Sequence, residues 1–243
     1  MIDSRKFAES GILLVDKPED WTSHDVVNCV RRRFRLCKVG HCGTLDPMAT
    51  GLLVVLLELA TKLSGRLVNH DKAYSGVMRL GVETDSQDRT GEVVRRAAVD
   101  QVDEAAVRRA AAAFVGEQLQ VPPMTSAVKI DGKKLYELAR KGREVERPPR
   151  SIVIHDLEIA EVRLPDVEFL VHCSKGTYIR TLAADIGREL GCGAHVDRLR
   201  RLRSGPFQVE DAFSMEQIKQ WEREDLFAAM IPLAKVADLL SPQ

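Results

Sequence analysis

Residues 38–57 read KVGHCGTLDPMATGLLVVLL, and the two halves of that stretch follow different rules. From Lys38 to Gly51 there are three glycines, one proline and no hydrophobic period, so His41-Cys42-Gly43-Thr44-Leu45-Asp46-Pro47 is expected to be a loop. Leu52 to Leu57 is then an unbroken apolar run of strand length, the pattern of a strand buried on both faces. A loop held against a buried strand is a place where function concentrates. Upstream, Ile12 to Val15 is a second apolar run, ended by Asp16-Lys17-Pro18, and reads as a strand followed by a turn. Thr22 or Ser23 then caps a helix in which Val26, Val27, Val30 and Phe34 recur at helical spacing, while Arg31, Arg32, Arg33 and Arg35 give it a basic face.

Working outward, Lys72 to Leu80 reads as a strand, followed by an acidic, turn-rich loop from Glu83 to Gly91 and an alanine-rich helix from Asp103 to Phe114. Pro122 to Pro149 holds two proline pairs, an Asp131-Gly132 turn and a short helical pattern from Lys133 to Arg140, and reads as a partly ordered surface insertion. Ser151 to Val162 and Val167 to Cys173 are strand-like and can pair as a hairpin. Ile179, Leu182, Ala183, Ile186 and Leu190 mark a helix that Gly191 ends, with Arg180 at the flank of its buried stripe. His195 to Leu202 reads as a basic edge strand, Ser214 to Gln217 as a capping box, and Leu226 to Leu240 as a short helical tail. Strands and helices alternate without a strict βαβ rhythm, which predicts an α+β fold with a mixed or antiparallel sheet.

The composition excludes several classes. A chain of 243 residues that is 44% hydrophobic can bury one large core, with at most a small appendage. Its longest apolar run, Leu52 to Leu57, is far short of the roughly 18 residues that cross a bilayer. The first ten residues lack an apolar core and cleavage site of secretory type, so a cytoplasmic protein is expected. Five irregularly spaced cysteines fit reduced thiols. The 36 basic and 36 acidic residues cancel, yet segments 29–41, 129–150 and 195–206 together carry +12 and the remainder −12. Three basic segments in an otherwise acidic chain suggest a polyanion-binding face.

Asp46, before Pro47, is either a turn former or a carboxylate held ready as nucleophile or general base. His41-Cys42 and Cys192-Gly193-Ala194-His195 lack the paired spacing of zinc ligands, and no metal is expected. A Cys/His hydrolase is also set aside, because no cysteine opens a helix in the manner of a nucleophile. No G-x-G-x-x-G or Walker A sequence offers a seat for a nucleotide cofactor.

Several ordered motifs then carry a resemblance. Gly11-Ile-Leu-Leu-Val-Asp-Lys-Pro18 with Trp21-Thr-Ser23 resembles the opening motif of TruB-type tRNA pseudouridine synthases, and Gly40-His-Cys-Gly-Thr-Leu-Asp-Pro-Met-Ala-Thr-Gly51 is similar to that family's catalytic loop. Lys72-Ala-Tyr74, Arg79-Leu-Gly-Val82 with Thr84-Asp85, Pro122 to Ala127, Tyr136 to Arg140, Cys173 to Leu182 and Gly191 to His195 with Leu199-Arg-Arg201 follow in the family's order, over roughly residues 11–206. The resemblance implies a pseudouridine synthase fold, a mixed and mostly antiparallel sheet flanked by helices and loops. It implies isomerisation of uridine 55 in the tRNA T arm, without a cofactor. Asp46 is then the catalytic aspartate, attacking the anomeric carbon or uracil C6, or assisting removal of a ribose proton.

The resemblance also implies that Arg180 pairs with the aspartate. Tyr74 stacks on the target base and is a candidate to remove the C5 proton. Leu199 is an apolar pocket wall, Lys17 buttresses the catalytic loop, and His41 meets the flipped nucleotide. Arg201, in the Leu199 motif, is assigned to the substrate. The insertion corresponds to a thumb, in which Lys129, Lys133, Lys134, Arg140, Lys141 and Arg143 suit phosphate contacts. Residues 1–206 are expected to form the catalytic domain with the thumb at about 122–150, and 207–243 a helical tail too short for a full PUA domain. The expected partner is tRNA, met by a monomer that needs no protein partner and no membrane. The alternatives are a dyskerin-like synthase acting on another RNA and a non-catalytic RNA-binding or RNA-folding module.

Overall fold

A computed structural model of the chain describes residues 7–126, 129–130, 133–135 and 145–239. It runs through β1 (Gly11–Lys17), α1 (Ser23–Arg33), β2 (Val39–Cys42), β3 (Thr50–Leu57), the one-turn α2 (Ser64–Leu67) and β4 (Lys72–Leu80). Then come β5 (Val82–Thr84), β6 (Val93–Arg96), α3 (Glu104–Ala112), β7 (Gly116–Gln120), β8 (Lys129–Ile130), β9 (Lys133–Lys134), β10 (Arg150–Arg163), β11 (Asp166–Cys173) and α4 (Ile179–Glu189). The last part holds β12 (Ala194–Ser204), β13 (Phe207–Gln208), β14 (Phe213–Ser214), α5 (Met215–Gln220), α6 (Arg223–Ala229), β15 (Ile231–Pro232) and α7 (Leu233–Leu239). There are two compact units, Met1–Tyr74 with Arg200–Gln243, and Ser75–Leu199, so the boundaries fall inside β4 and β12.

The first unit is built on β1 and β3, which pair antiparallel from Gly11 opposite Leu57 to Lys17 opposite Gly51. The other edge of β1 is covered by β14, parallel at Val15 and Asp16, and by β15, antiparallel at Gly11 and Ile12. The other edge of β3 is shared. β2 runs antiparallel beside Val54 to Leu57, and Arg200 and Arg201 of β12 run parallel beside Thr50 and Gly51. Strands paired on both edges and covered on both faces read as apolar runs rather than alternation, which is why both were legible. Ile12, Leu14, Leu52, Val54 and Leu56 form one core cluster with Ala60, Leu67, Phe207, Val209 and Val236. Of the two expected caps, Thr22 takes the position, in a reciprocal capping box with Asp25, and the helix buries Val26, Val27 and Val30.

The expected loop from Lys38 begins later than the sequence suggested. Val39–Cys42 is a strand, so His41 projects from a ladder and not from a loop. A four-residue strand containing Gly40 is too short for alternation to register. In the C-terminal tail Met215, Ile218, Leu226 and Val236 are buried, and Ser214 caps α5 with Gln217 closing the expected box.

In the second unit β10 and β11 form the expected antiparallel hairpin, β7 pairs with the far edge of β10, and β4 lies between β11 and β12. α4 places Ile179, Leu182, Ala183 and Ile186 over Met78, Leu157 and Phe169 of that sheet. The acidic loop is in fact a hairpin, β5 with β6, whose connecting turn bridges Asp88 to Val196. That bridge corrects the reading of residues 195–202 as an edge strand. β12 has neighbours on both sides, with β4 along it and Asp88 at Val196, and further on β3 at Arg200 and Arg201. Arginines suggested an exposed edge, but here several satisfy their charge within the fold. In the insertion, Lys129–Ile130 and Lys133–Lys134 form a two-residue ladder where a helical pattern from Lys133 was expected. Among the described residues no helix is long and apolar enough to cross a membrane.

Candidate active site

The loop from Gly43 to Ala49 leaves the sheet where β2 ends and returns at β3, and Asp46 lies half-buried at its middle. Its backbone closes a turn, with the Ala49 amide donating to the Asp46 carbonyl at 3.0 Å. Ser23, in the first turn of α1, holds Leu45 twice, its Oγ accepting from the Leu45 amide at 2.9 Å and donating to the Leu45 carbonyl at 3.2 Å. Pro47 is held from β1: Lys17 is fully buried, and its Nζ donates to the carbonyls of Pro47 (3.1 Å), Pro18 (2.8 Å) and Trp21 (2.6 Å). The Asp20 amide adds a second bond to the Pro47 carbonyl at 2.9 Å. Burial pushes the Lys17 ammonium down to about 8, while the Asp46 and Asp20 carboxylates pull the other way.

Arg201 ties the first residue of the loop to β3. Its Nε donates to the Leu52 carbonyl at 2.7 Å and its Nη2 to the Gly43 carbonyl at 3.0 Å, from a side chain only 1% exposed. Gly43 has φ +78° and Gly51 φ +96°, and a Cβ on Gly51 would stand 2.3 Å from the Arg201 carbonyl oxygen. Only glycine allows β12 to come so close. His41, on β2 just before the loop, has a buried Nδ1 without a hydrogen-bond partner among the described residues. Burial first, then the Arg201 and His24 charges, hold its imidazole below the ordinary value. Tyr74 is buried on β4, two residues after Lys72, whose ammonium donates to the carbonyls of Val68 (2.7 Å) and His70 (2.5 Å).

Arg180 belongs to the second unit and is 3% exposed. It donates to the Ser86 carbonyl (2.8 Å), the Thr125 hydroxyl (2.5 Å) and the Thr125 carbonyl (3.2 Å), and stands 3.5 Å from the Asp88 carboxylate. Asp88 is itself fixed, its Oδ1 accepting from the hydroxyls of Ser86 (2.8 Å) and Thr90 (2.6 Å) and from the Thr90 amide (2.9 Å). Leu199 is buried at the end of this unit. Lys133 and Lys134 form β9, and Lys141 lies outside the described residues.

The sequence model described as the TruB family pseudouridylate synthase N-terminal domain matches residues 31–179, and the model of the tRNA pseudouridylate synthase B C-terminal domain matches residues 180–238. The chain belongs to the TruB family. It is 47% identical over 237 residues to the tRNA pseudouridine synthase B of Opitutus terrae, covering 98% of each chain. It is 49% identical over 226 residues to the protein of that name from Syntrophotalea carbinolica, covering 93% of this chain and 74% of the relative. Among solved structures it is similar to a chain in the crystal structure of a Cbf5-Nop10-Gar1 complex, at 32% identity and TM-score 0.75, covering 97% of this chain and 64% of that one. The fold is thus the α+β pseudouridine synthase fold.

Two arrangements, one in each unit, have no signal in the sequence. Asp88 was hidden in a stretch, Thr84 to Thr90, whose polar residues look like any acidic turn. Arg201, which the Leu199 motif assigns to the substrate, turns its guanidinium inward onto two carbonyls. Arg200 of the same segment pairs both its terminal nitrogens with Asp16, at 2.9 and 2.7 Å. Arg33 on α1 donates to the Trp221 carbonyl at 2.5 Å. Part of the positive charge that suggested a nucleic-acid face therefore ties the protein together.

Proposed function

We propose that this TruB-family chain isomerises uridine 55 in the T arm of tRNA to pseudouridine, with Asp46 as the carboxylate that acts on the target nucleotide. The observation that carries the proposal is the number of independent ties on the Asp46 loop: Ser23 on Leu45, Lys17 and the Asp20 amide on Pro47, and Arg201 on Gly43. A residue that serves only as a turn former needs no such support, whereas a carboxylate that must meet a sugar or base carbon needs its position fixed in advance. The curated relatives named tRNA pseudouridine synthase B support tRNA as the substrate.

The reaction conserves every atom of the nucleotide. The bond from C1′ to N1 breaks, uracil turns, a bond from C1′ to C5 forms, the C5 proton leaves and N1 gains one. No electron acceptor or energy source enters, which accords with a sequence without cofactor motifs. The target base must leave the folded loop, at a cost of about a few kcal/mol repaid by protein contacts. Tyr74 is assigned to stacking on that base and to the C5 proton, Arg180 to the fixed positive charge that keeps the reacting carboxylate ionised, and Leu199 to the apolar wall. His41, on β2 just before the loop, is assigned to the displaced nucleotide. Lys133, Lys134 and Lys141 are assigned to phosphates, and the protein to a cytoplasmic monomer working without a protein partner.

The test is to incubate the protein with unmodified tRNA transcript, without guide RNA, and to map pseudouridine chemically. Product is expected at the T-loop position and nowhere else; binding without product there would overturn the reading. Asp46→Asn is expected to abolish turnover while keeping tRNA affinity within about tenfold, or about 1.4 kcal/mol. An active Asp46→Asn protein would remove the aspartate from its role.

A further inference from the structure

We infer that Arg201 is a positioning residue for the Asp46 loop, and not an RNA contact. The inference rests on the proposed isomerase activity and concerns how the loop is held. On the edge of β3 away from β1, β2 covers Val54 to Leu57, and the backbone of Arg200 and Arg201 covers Thr50 and Gly51. Leu52 lies next to that bridge, and its carbonyl accepts from Arg201 Nε. Leu52 is itself fixed by pairing with Asp16 of β1. Arg201 is thus braced on a strand paired to β1 along its length, and from that base its Nη2 reaches across to the Gly43 carbonyl.

Gly43 is the position that needs holding. Cys42 is the last residue of β2 to pair with β3, and Gly43 then turns through φ +78° toward Asp46. Without the guanidinium, the departing end of the loop would depend on the ladder before it and on Ser23 at Leu45 after it. A planar fork with donors on different nitrogens spans the two carbonyls in one fixed geometry, whereas an ammonium is a single point on a flexible stem.

Arg201 is among the largest fully buried side chains of the protein, and among the described residues no carboxylate forms an ion pair with it. Burying a guanidinium against carbonyls alone is costly, and an apolar side chain could fill the same volume. A second buried cation, Lys17, grips the loop on the other side of Asp46 through carbonyls in the same manner. Two buried cations whose hydrogen bonds converge on one loop also place positive charge around its carboxylate.

The experiment compares wild type, Arg201→Met and Arg201→Lys with tRNA transcript, recording kcat, KM, tRNA dissociation constant, its salt dependence and thermal midpoint. Wild type is measured first, since its inactivity would refute the isomerase reading and not this one. Loop misplacement is expected to lower kcat on the order of a hundredfold in Arg201→Met, with KM and the dissociation constant within about threefold. Arg201→Lys should recover part of the kcat that Arg201→Met loses, because an ammonium can still reach one of the two carbonyls. A raised dissociation constant with a flatter salt slope and intact kcat would instead make Arg201 an RNA contact and overturn the inference. An unchanged kcat in either variant overturns it too, and if Arg201→Met does not fold, Arg201→Lys alone decides by the split between kcat and KM.

Discussion

At the scale of the residue, Lys17 shows how a buried charge is retained for what it holds. Its ammonium titrates at about 8 in the fold and 10.5 outside it. Between these values the unfolded chain binds the proton and the folded chain does not, so this group makes stability rise with pH across the window. Below about 8 the full penalty for desolvating the charge is present. Comparing wild type with Lys17→Met by urea unfolding from pH 7.5 to 10.5, wild type should gain on the variant by about 3 kcal/mol. A constant difference across that range would mean that the ammonium is not desolvated. Asp88 is the converse, a carboxylate beside the buried Arg180. Asp88→Asn keeps an oxygen for Ser86 and Thr90 but removes the negative charge 3.5 Å from the buried Arg180 guanidinium, and is expected to cost roughly 3 kcal/mol in the same assay. Lys17 was legible because it ends an apolar strand just before a proline. Asp88 was not, because its partner lies 92 positions away on a helix and neither residue has a local pattern that names the other.

At the scale of the element, boundaries set by local chemistry were legible and those set by distant neighbours were not. Thr22 and Ser214 cap their helices as the sequence proposed, because a capping box is an interaction over three residues. Thr22→Ala should lower stability by about 1 kcal/mol, measured by thermal unfolding; a change near zero would mean that tertiary contacts alone fix the start of α1. β2 and the inner position of β12 were missed because each is defined by the strand beside it. The sharpest such constraint is at Gly51, where β3 meets β12. Ala in its place would sit at a positive φ and press on the Arg201 backbone, so Gly51→Ala should lower stability by more than about 2 kcal/mol and reduce turnover in the protein that remains folded. If the variant were as stable and active as wild type, the contact between β3 and β12 would not constrain the loop.

At the scale of the whole molecule, zero net charge conceals how the charges are used. Of the three basic segments, 195–206 spends Arg200 on Asp16 and Arg201 on the Asp46 loop, and Arg33 of the first is bonded to the Trp221 carbonyl. Arg31, Arg32, Arg35 and Lys38 remain exposed around the end of α1. Polyanion binding should therefore depend on this exposed set and on the lysines of the insertion, and much less on β12. Each phosphate that a substitution leaves without its cation should reduce the slope of log affinity against log salt by about 0.7 to 0.9. Replacing Lys133, Lys134 and Lys141 together with Ala should flatten that slope for tRNA by up to about 2 to 3 and weaken binding at low salt, with kcat at saturation largely kept. Arg200→Ala should leave the slope unchanged, because its charge is matched by Asp16. Should Arg200→Ala flatten the slope and the triple lysine variant leave it alone, the inward assignment of the β12 arginines would be wrong, and charge counting along the sequence would have been the better guide.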